Sequence, residues 1–83
     1  MWYVYILLST VCDRTYTGVT TDVDSRVRAH NGVIKGGAKA TRANRPWKVI
    51  HKETSPNRSL AQKREAQIKR LSLLDKRKLA GIV

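Results

Sequence analysis

The chain begins with its longest unbroken apolar run, Val4 to Leu8, inside the segment WYVYILL. Aromatic and β-branched residues bounded by Ser9 and Thr10 predict a strand over residues 2–8. Alternation places Trp2, Val4, Ile6 and Leu8 on one side and Tyr3, Tyr5 and Leu7 on the other. The polar segment Ser9–Arg14 reads as a turn. TYTGVT, residues 15–20, reads as a second strand antiparallel to the first, and Gly18 inside it marks a bulge or a close backbone approach. Asp22 is a suitable N-cap for a helix over residues 23–30, with Val23, Val27 and His30 as its inner stripe and Asn31 and Gly32 as its stop.

Residues 31–46 contain three glycines, four basic residues and Pro46. That is too long for an ordinary connector and predicts a functional or mobile loop. WKVIHKE, residues 47–53, alternates Trp47, Val49 and His51 against Lys48, Ile50 and Lys52, as a third strand with one solvated face would. Pro56, Asn57 and Ser59 introduce a helix over residues 60–71, with Leu60, Ala61, Ile68 and Leu71 turned inward and Glu65 between them. Ser72, with Asp75 three residues on, opens a last helix that Gly81 ends. The order is β-β-α-β-α-α. No repeat or linker divides it, so residues 1–83 are expected to form one domain.

Composition narrows the class. Seventeen Lys and Arg against six Asp and Glu give a net charge of +11. The excess is uneven: residues 1–25 hold Arg14 against three Asp, whereas the remaining sixteen basic residues face only Glu53, Glu65 and Asp75. Such an excess points to a polyanion, nucleic acid first. Arg28, Lys35, Lys39, Arg42, Arg45 and Lys69 are the candidate contacts to it. A single cysteine, Cys12, excludes an internal disulfide and fits a reducing, intracellular setting, the cytoplasm in a bacterium. No apolar run approaches the length of a membrane span or a signal sequence.

Taken one at a time, the chemically capable residues are ambiguous. Tyr5 and Tyr16 would ordinarily be packing residues, although a phenol at a site can orient or deprotonate a water. Arg26 suits a phosphoryl clamp, since its planar donors can neutralise developing charge. Glu65 is either an i,i+4 partner of Lys69 or the carboxylate of a hard divalent cation that takes its other oxygens from water and phosphate. His30 is more ordinarily a packed residue than a base, and His51 is structural or exposed. Two histidines and one cysteine match no zinc spacing, and the Gly36–Gly37 pair lacks the context of a phosphate loop.

The combination is more specific. Tyr3-Val4-Tyr5, Tyr16-Thr17-Gly18, Thr20-Thr21-Asp22 with Arg26-Val27 and His30-Asn31, the stretch from Lys39 to Pro46, and Arg64-Glu65-Ala66 with Ile68-Lys69-Arg70-Leu71 occur in order. In this the sequence resembles the GIY-YIG endonuclease superfamily, in its small stand-alone branch, over roughly residues 2–80. The resemblance implies an α/β domain in which helices flank a three-stranded antiparallel sheet. It implies hydrolysis of nucleic-acid phosphodiesters with one Mg²⁺ or Mn²⁺. Tyr16 would position the attacking water with Tyr5 as its partner, Arg26 would stabilise the transition state, Glu65 would hold the metal, and His30 would assist near the phosphate or base. Tyr3 stands where the name-giving motif has Gly, and Thr17 where Ile or Val is usual. The expected substrate is DNA rather than RNA, with target choice coming either from a weak reading of DNA structure by the domain itself or from a protein partner. The alternative is a nucleic-acid-binding module of the same fold without turnover.

Overall fold

The computed structural model describes residues 1–81, so the last two residues of the expected domain lie outside the description. Strands β1 (Trp2–Ser9), β2 (Thr15–Thr20) and β3 (Trp47–Ser55) form one antiparallel sheet in the order β2-β1-β3. Helix α1 (Val23–His30) follows β2, and helices α2 (Arg58–Lys69) and α3 (Leu73–Leu79) follow β3. This is the β-β-α-β-α-α order read from the sequence.

The continuous apolar run of β1 has a simple cause. β1 is the central strand, and both of its faces are covered. Val4 and Ile6 pack with Ala61 and Ile68 of α2 on one face, joined at the margin by Trp2, Val19, Ile50 and Leu79. Tyr5 and Leu7 pack with Val23 of α1 and Trp47 on the other, beside Tyr3, Tyr16 and Val27. The two-sided alternation expected for β1 is therefore the division between two small cores.

β3 departs from simple alternation. Its register against β1 shifts between Ile6 and Leu7, where Ile6 faces His51 and Leu7 faces Val49. This bulge breaks the face assigned to Trp47, Val49 and His51. Trp47 joins the Tyr5 core, whereas Ile50 joins the α2 core. His51 hydrogen-bonds Glu53 at 2.7 Å, and Glu53 also receives Arg64 of α2 at 2.8 Å. His51 is thus a structural residue. The Arg64 guanidinium, more than His51, holds the Glu53 carboxyl below the usual carboxylate range despite partial burial.

α2 starts and ends two residues earlier than the periodicity suggests. Asn57 takes the N-cap, its side chain accepting from the Leu60 amide at 2.9 Å. Ser72 then caps α3 by accepting from the Asp75 amide at 3.1 Å, which requires the chain to leave α2 before Leu71. Ala61 and Ile68 set the buried stripe, and Leu60 is rotated off it, 46% exposed rather than inward. Gly81, with φ 76°, follows the last helix as expected of a terminating glycine. α3 is tied to the first hairpin through Arg77 to Asp13 at 3.0 Å and Lys76 to Thr15 at 3.3 Å.

Candidate active site

The β1–β2 pairing builds the centre of the site. Tyr5 lies opposite Gly18 and Leu7 opposite Tyr16, so both tyrosines emerge on the α1 face of the sheet. The Tyr5 phenol crosses the Gly18 backbone. A Cβ on residue 18 would sit 2.5 Å from the phenol oxygen, which is the close approach that the glycine permits. The two tyrosines are not equivalent. Tyr5 is 1% exposed, whereas Tyr16 is only partly buried and can meet a substrate.

α1 supplies the next layer. Asp22 caps it by accepting from the Ser25 amide at 3.1 Å. At the other end, Asn31 fastens it to β3, accepting from the Trp47 amide at 2.6 Å and donating to the Trp47 carbonyl at 2.9 Å. His30, on the last turn, is completely buried. Its Nε2 is 2.8 Å from the Tyr5 hydroxyl and its Nδ1 is 2.8 Å from the Thr41 hydroxyl. Thr41 spends its own proton on the Ala38 carbonyl at 2.9 Å. The direction of the relay follows: Nδ1–H donates to Thr41, Nε2 is the lone-pair nitrogen, and Tyr5 O–H donates to it. The imidazole is neutral. Burial, then the positive charges of Arg26 and Arg45, lower its pKa to about 4.

Residues 31–46 are a fastened strap rather than a free loop. A 3₁₀ turn at Lys39–Thr41 carries the buried Thr41 onto His30. Arg45 Nε donates to the His30 carbonyl at 2.7 Å, and the Trp47 indole donates to the Thr41 carbonyl at 2.9 Å. Thr41 is the residue to which the motif reading gave no role. Its only sequence signal is membership of the Lys39–Pro46 stretch, because nothing in its spacing reports a contact with residue 30.

Tyr16 packs beside Tyr5 and His30, and Arg26 and Glu65 act on the charge of the Tyr5 phenol. The Tyr16 and His30 ring centroids are 4.6 Å apart, and those of Tyr5 and Tyr16 are 6.3 Å apart. Burial pushes the Tyr5 phenol above its usual range; Arg26 pulls it partly back, while Tyr16 and Glu65 add to the rise. Three different elements therefore act on one buried hydroxyl: β2, α1 and α2. Arg26 also donates through Nη1 to the Gly36 carbonyl, which holds its guanidinium against the strap.

Glu65 is partly buried, and Lys69 lies 3.6 Å away as a long, loose i,i+4 pair. Both roles weighed for this carboxylate remain compatible, since an exposed Lys at that distance contributes little. No cluster of three His, Cys, Asp or Glu exists among the described residues. That donor set excludes a preassembled zinc-type site. It fits a hard cation held by one carboxylate, with water and phosphate oxygens completing the shell.

Of the candidate nucleic-acid contacts, Arg28 and Lys39 are exposed on α1 and the 3₁₀ turn. Lys35, Arg42 and Arg45 line a common hollow beside the strap, apart from the exposed Lys69 on α2.

A three-stranded sheet with paired tyrosines, an arginine helix and a lone glutamate on a second helix defines a recognisable class. The chain belongs to the GIY-YIG catalytic domain family, whose model it matches over residues 1–78. Members of that family are generally endonucleases. Within it, the chain is similar to UPF0213 proteins. It is 46% identical to one from Desulfotalea psychrophila over 79 residues, covering 94% of this chain and 69% of that one. It is 42% identical to one from Halobacterium salinarum over 80 residues, covering 95% and 99%. The solution NMR structure of a UPF0213 protein from Bacillus halodurans shares the fold, with a TM-score of 0.56 at 38% identity, covering 98% of this chain and 84% of that one.

Proposed function

We propose that this protein is a metal-dependent endonuclease that hydrolyses phosphodiester bonds in DNA, its residues 1–83 acting as one domain inside the cell, in the cytoplasm if the source is bacterial. The observation that carries this reading is the buried Tyr5–His30–Thr41 relay with the partly buried Tyr16 ring 4.6 Å from the His30 ring. A passive nucleic-acid coat has no need of a buried phenol held by a His–Thr relay. Nor does it need Glu65, the one acid on the otherwise basic helix α2.

The roles follow from exposure and bonding. Tyr16, the accessible phenol, orients the attacking water. Tyr5 donates to His30, so its oxygen lone pairs face the neighbours and fix the Tyr16 side of the site. His30 and Thr41 are positioning residues that act through Tyr5. Arg26 meets the charge that develops on the phosphoryl oxygens. Glu65 holds one Mg²⁺ or Mn²⁺, which when bound neutralises phosphate charge and stabilises the leaving oxygen. The basic residues anchor the backbone, and a partner protein supplies target choice. No helix among the described residues is long and apolar enough to cross a membrane.

The test is nicking of supercoiled and branched DNA with Mg²⁺ or Mn²⁺, with DNA binding measured in parallel. Glu65→Gln and Arg26→Ala each reduce cleavage by about 10²–10³-fold, the usual scale for removing one charge-stabilising group, with binding changed only slightly. Binding without cleavage in the wild type would instead identify a non-catalytic module.

A further inference from the structure

One hollow of the described surface does not coincide with the tyrosine site. It has a volume of about 660 Å³ and lies between the end of α1 and the strap, within the ~300–1,000 Å³ range of small-ligand pockets. Its lining combines two chemistries. Ala29, Val33 and Ile34 give it an apolar part, and Val33 is 65% exposed and Ile34 38% exposed. Lys35, Arg42 and Arg45 give it three cations, and none of these is in an ion pair among the described residues. No acidic residue lines it.

The backbone is adapted to this shape. Gly32 has φ 77°, and a Cβ there would lie 2.7 Å from Arg45 Nη1, so the glycine lets the guanidinium lie across the turn. Gly37 rests directly on the Ala29 carbonyl, leaving no room for a side chain. On the rim, the Gly36 carbonyl is the acceptor for Arg26. The hollow is therefore one hydrogen bond from the arginine assigned to the phosphoryl group.

We propose that this hollow binds an unpaired nucleotide next to the scissile phosphate. Lys35 and Arg42 take its phosphate, Val33 and Ile34 contact its base, and Arg45 offers a planar face. A paired base keeps its face in the stack, so a duplex presents phosphates to the cations but nothing to the aliphatic part. A splayed base does both, and guanidinium planes and apolar side chains are usual platforms for it. The inference rests on the reading that the protein acts on nucleic acid, and it narrows the substrate to strands with an unpaired nucleotide at the cut.

Binding is measured on the full chain in EDTA, so that cleavage plays no part. Fluorescence anisotropy compares a labelled single strand with a blunt duplex of the same sequence. The wild type prefers the single strand, and Val33→Ala/Ile34→Ala weakens that binding about tenfold while leaving duplex binding unchanged. Equal weakening of both, or of neither, overturns the proposal. Amide shifts of Gly32, Gly36 and Gly37 are followed with dTMP and with inorganic phosphate. Larger shifts with dTMP support a nucleotide site, and equal shifts with phosphate alone refute the base contact. A protein that shows both effects but never cleaves DNA would refute the nuclease reading and leave nucleotide binding in the hollow standing without a cut beside it. Cleavage of duplexes indifferent to Val33 and Ile34 would do the reverse.

Discussion

Acidification should weaken this fold through His30 before it protonates most carboxylates. The imidazole is completely buried, and its pKa falls from the ordinary 6.5 to about 4 because burial and two nearby arginines disfavour the cation. The unfolded chain therefore takes up the proton first. The stabilisation due to the neutral form is fully present above pH 6.5 and is lost as the pH falls toward 4. From those two values the loss is about 2 kcal/mol at pH 5 and about 3 kcal/mol at pH 4. Against the ~4–12 kcal/mol expected of a domain this size, that is a large fraction. Protonation would also force Nε2 to become a donor facing the Tyr5 proton, so the same acidification should uncouple the relay.

The assay is urea unfolding at intervals from pH 7 to pH 4, for wild type and His30→Gln. The variant is less stable at pH 7, because two buried hydroxyls lose their ring partner. Its stability should nevertheless fall less steeply with acid. Glu53 contributes a decline of its own, since Arg64 and His51 depress its pKa. That decline is common to both proteins and cancels in the difference. An NMR titration of the His30 ring protons is the direct check. A midpoint near 6.5, or parallel pH profiles for the two proteins, would refute the argument.

Two further substitutions test the hairpin. Gly18→Ala would place a Cβ 2.5 Å from the Tyr5 hydroxyl and 2.8 Å from its ring carbon, displacing a phenol that is bonded to His30. It should cost about 1–3 kcal/mol in chemical denaturation and depress nicking with it; an unperturbed variant would show that the close approach has no consequence. Thr17→Val should have the opposite sign. Thr17 is 3% exposed opposite Ile6, and its hydroxyl has no hydrogen-bond partner among the described residues. Replacing that hydroxyl with an isosteric methyl should add about 1 kcal/mol and raise Tm by about 4–8 °C; a lower Tm would mean that the hydroxyl is satisfied in solution.

Much of this fold is local enough to be read from residue order. Each helix begins at a side-chain cap visible in the sequence: Asp22, Asn57 and Ser72. The two faces of β1 are legible because period-two alternation survives in a strand buried on both sides. Legibility fails where one element decides the geometry of another. The β3 bulge answers to its register against β1, and no pattern within WKVIHKE signals that Val49 and His51 face adjacent residues of β1. Leu60 looks like an inner residue until Asn57 fixes where the helix begins, and the Ala61–Ile68 stripe then turns Leu60 outward.

The site divides along the same line. Tyr5, Tyr16, Arg26, His30 and Glu65 are each ambiguous by residue type, and it is the ordered motifs and the family resemblance they carry that nominate them. Their division of labour cannot be read that way, because it depends on which hydroxyl is covered and which proton is already spent. Tyr5 and Tyr16 are near-equivalent letters in the sequence. They become different residues only when the Lys39–Thr41 turn folds over α1 and Thr41 commits its proton to Ala38. That single bond orients His30, and His30 makes Tyr5 a donor. Of the two phenols, only that of Tyr16 is then left partly exposed. The segment that reads as a functional or mobile loop is what distinguishes the two tyrosines. Its glycines, lysines and arginines resemble a mobile basic loop on paper, yet Gly36 holds Arg26 at one edge and Arg45 holds His30 at the other.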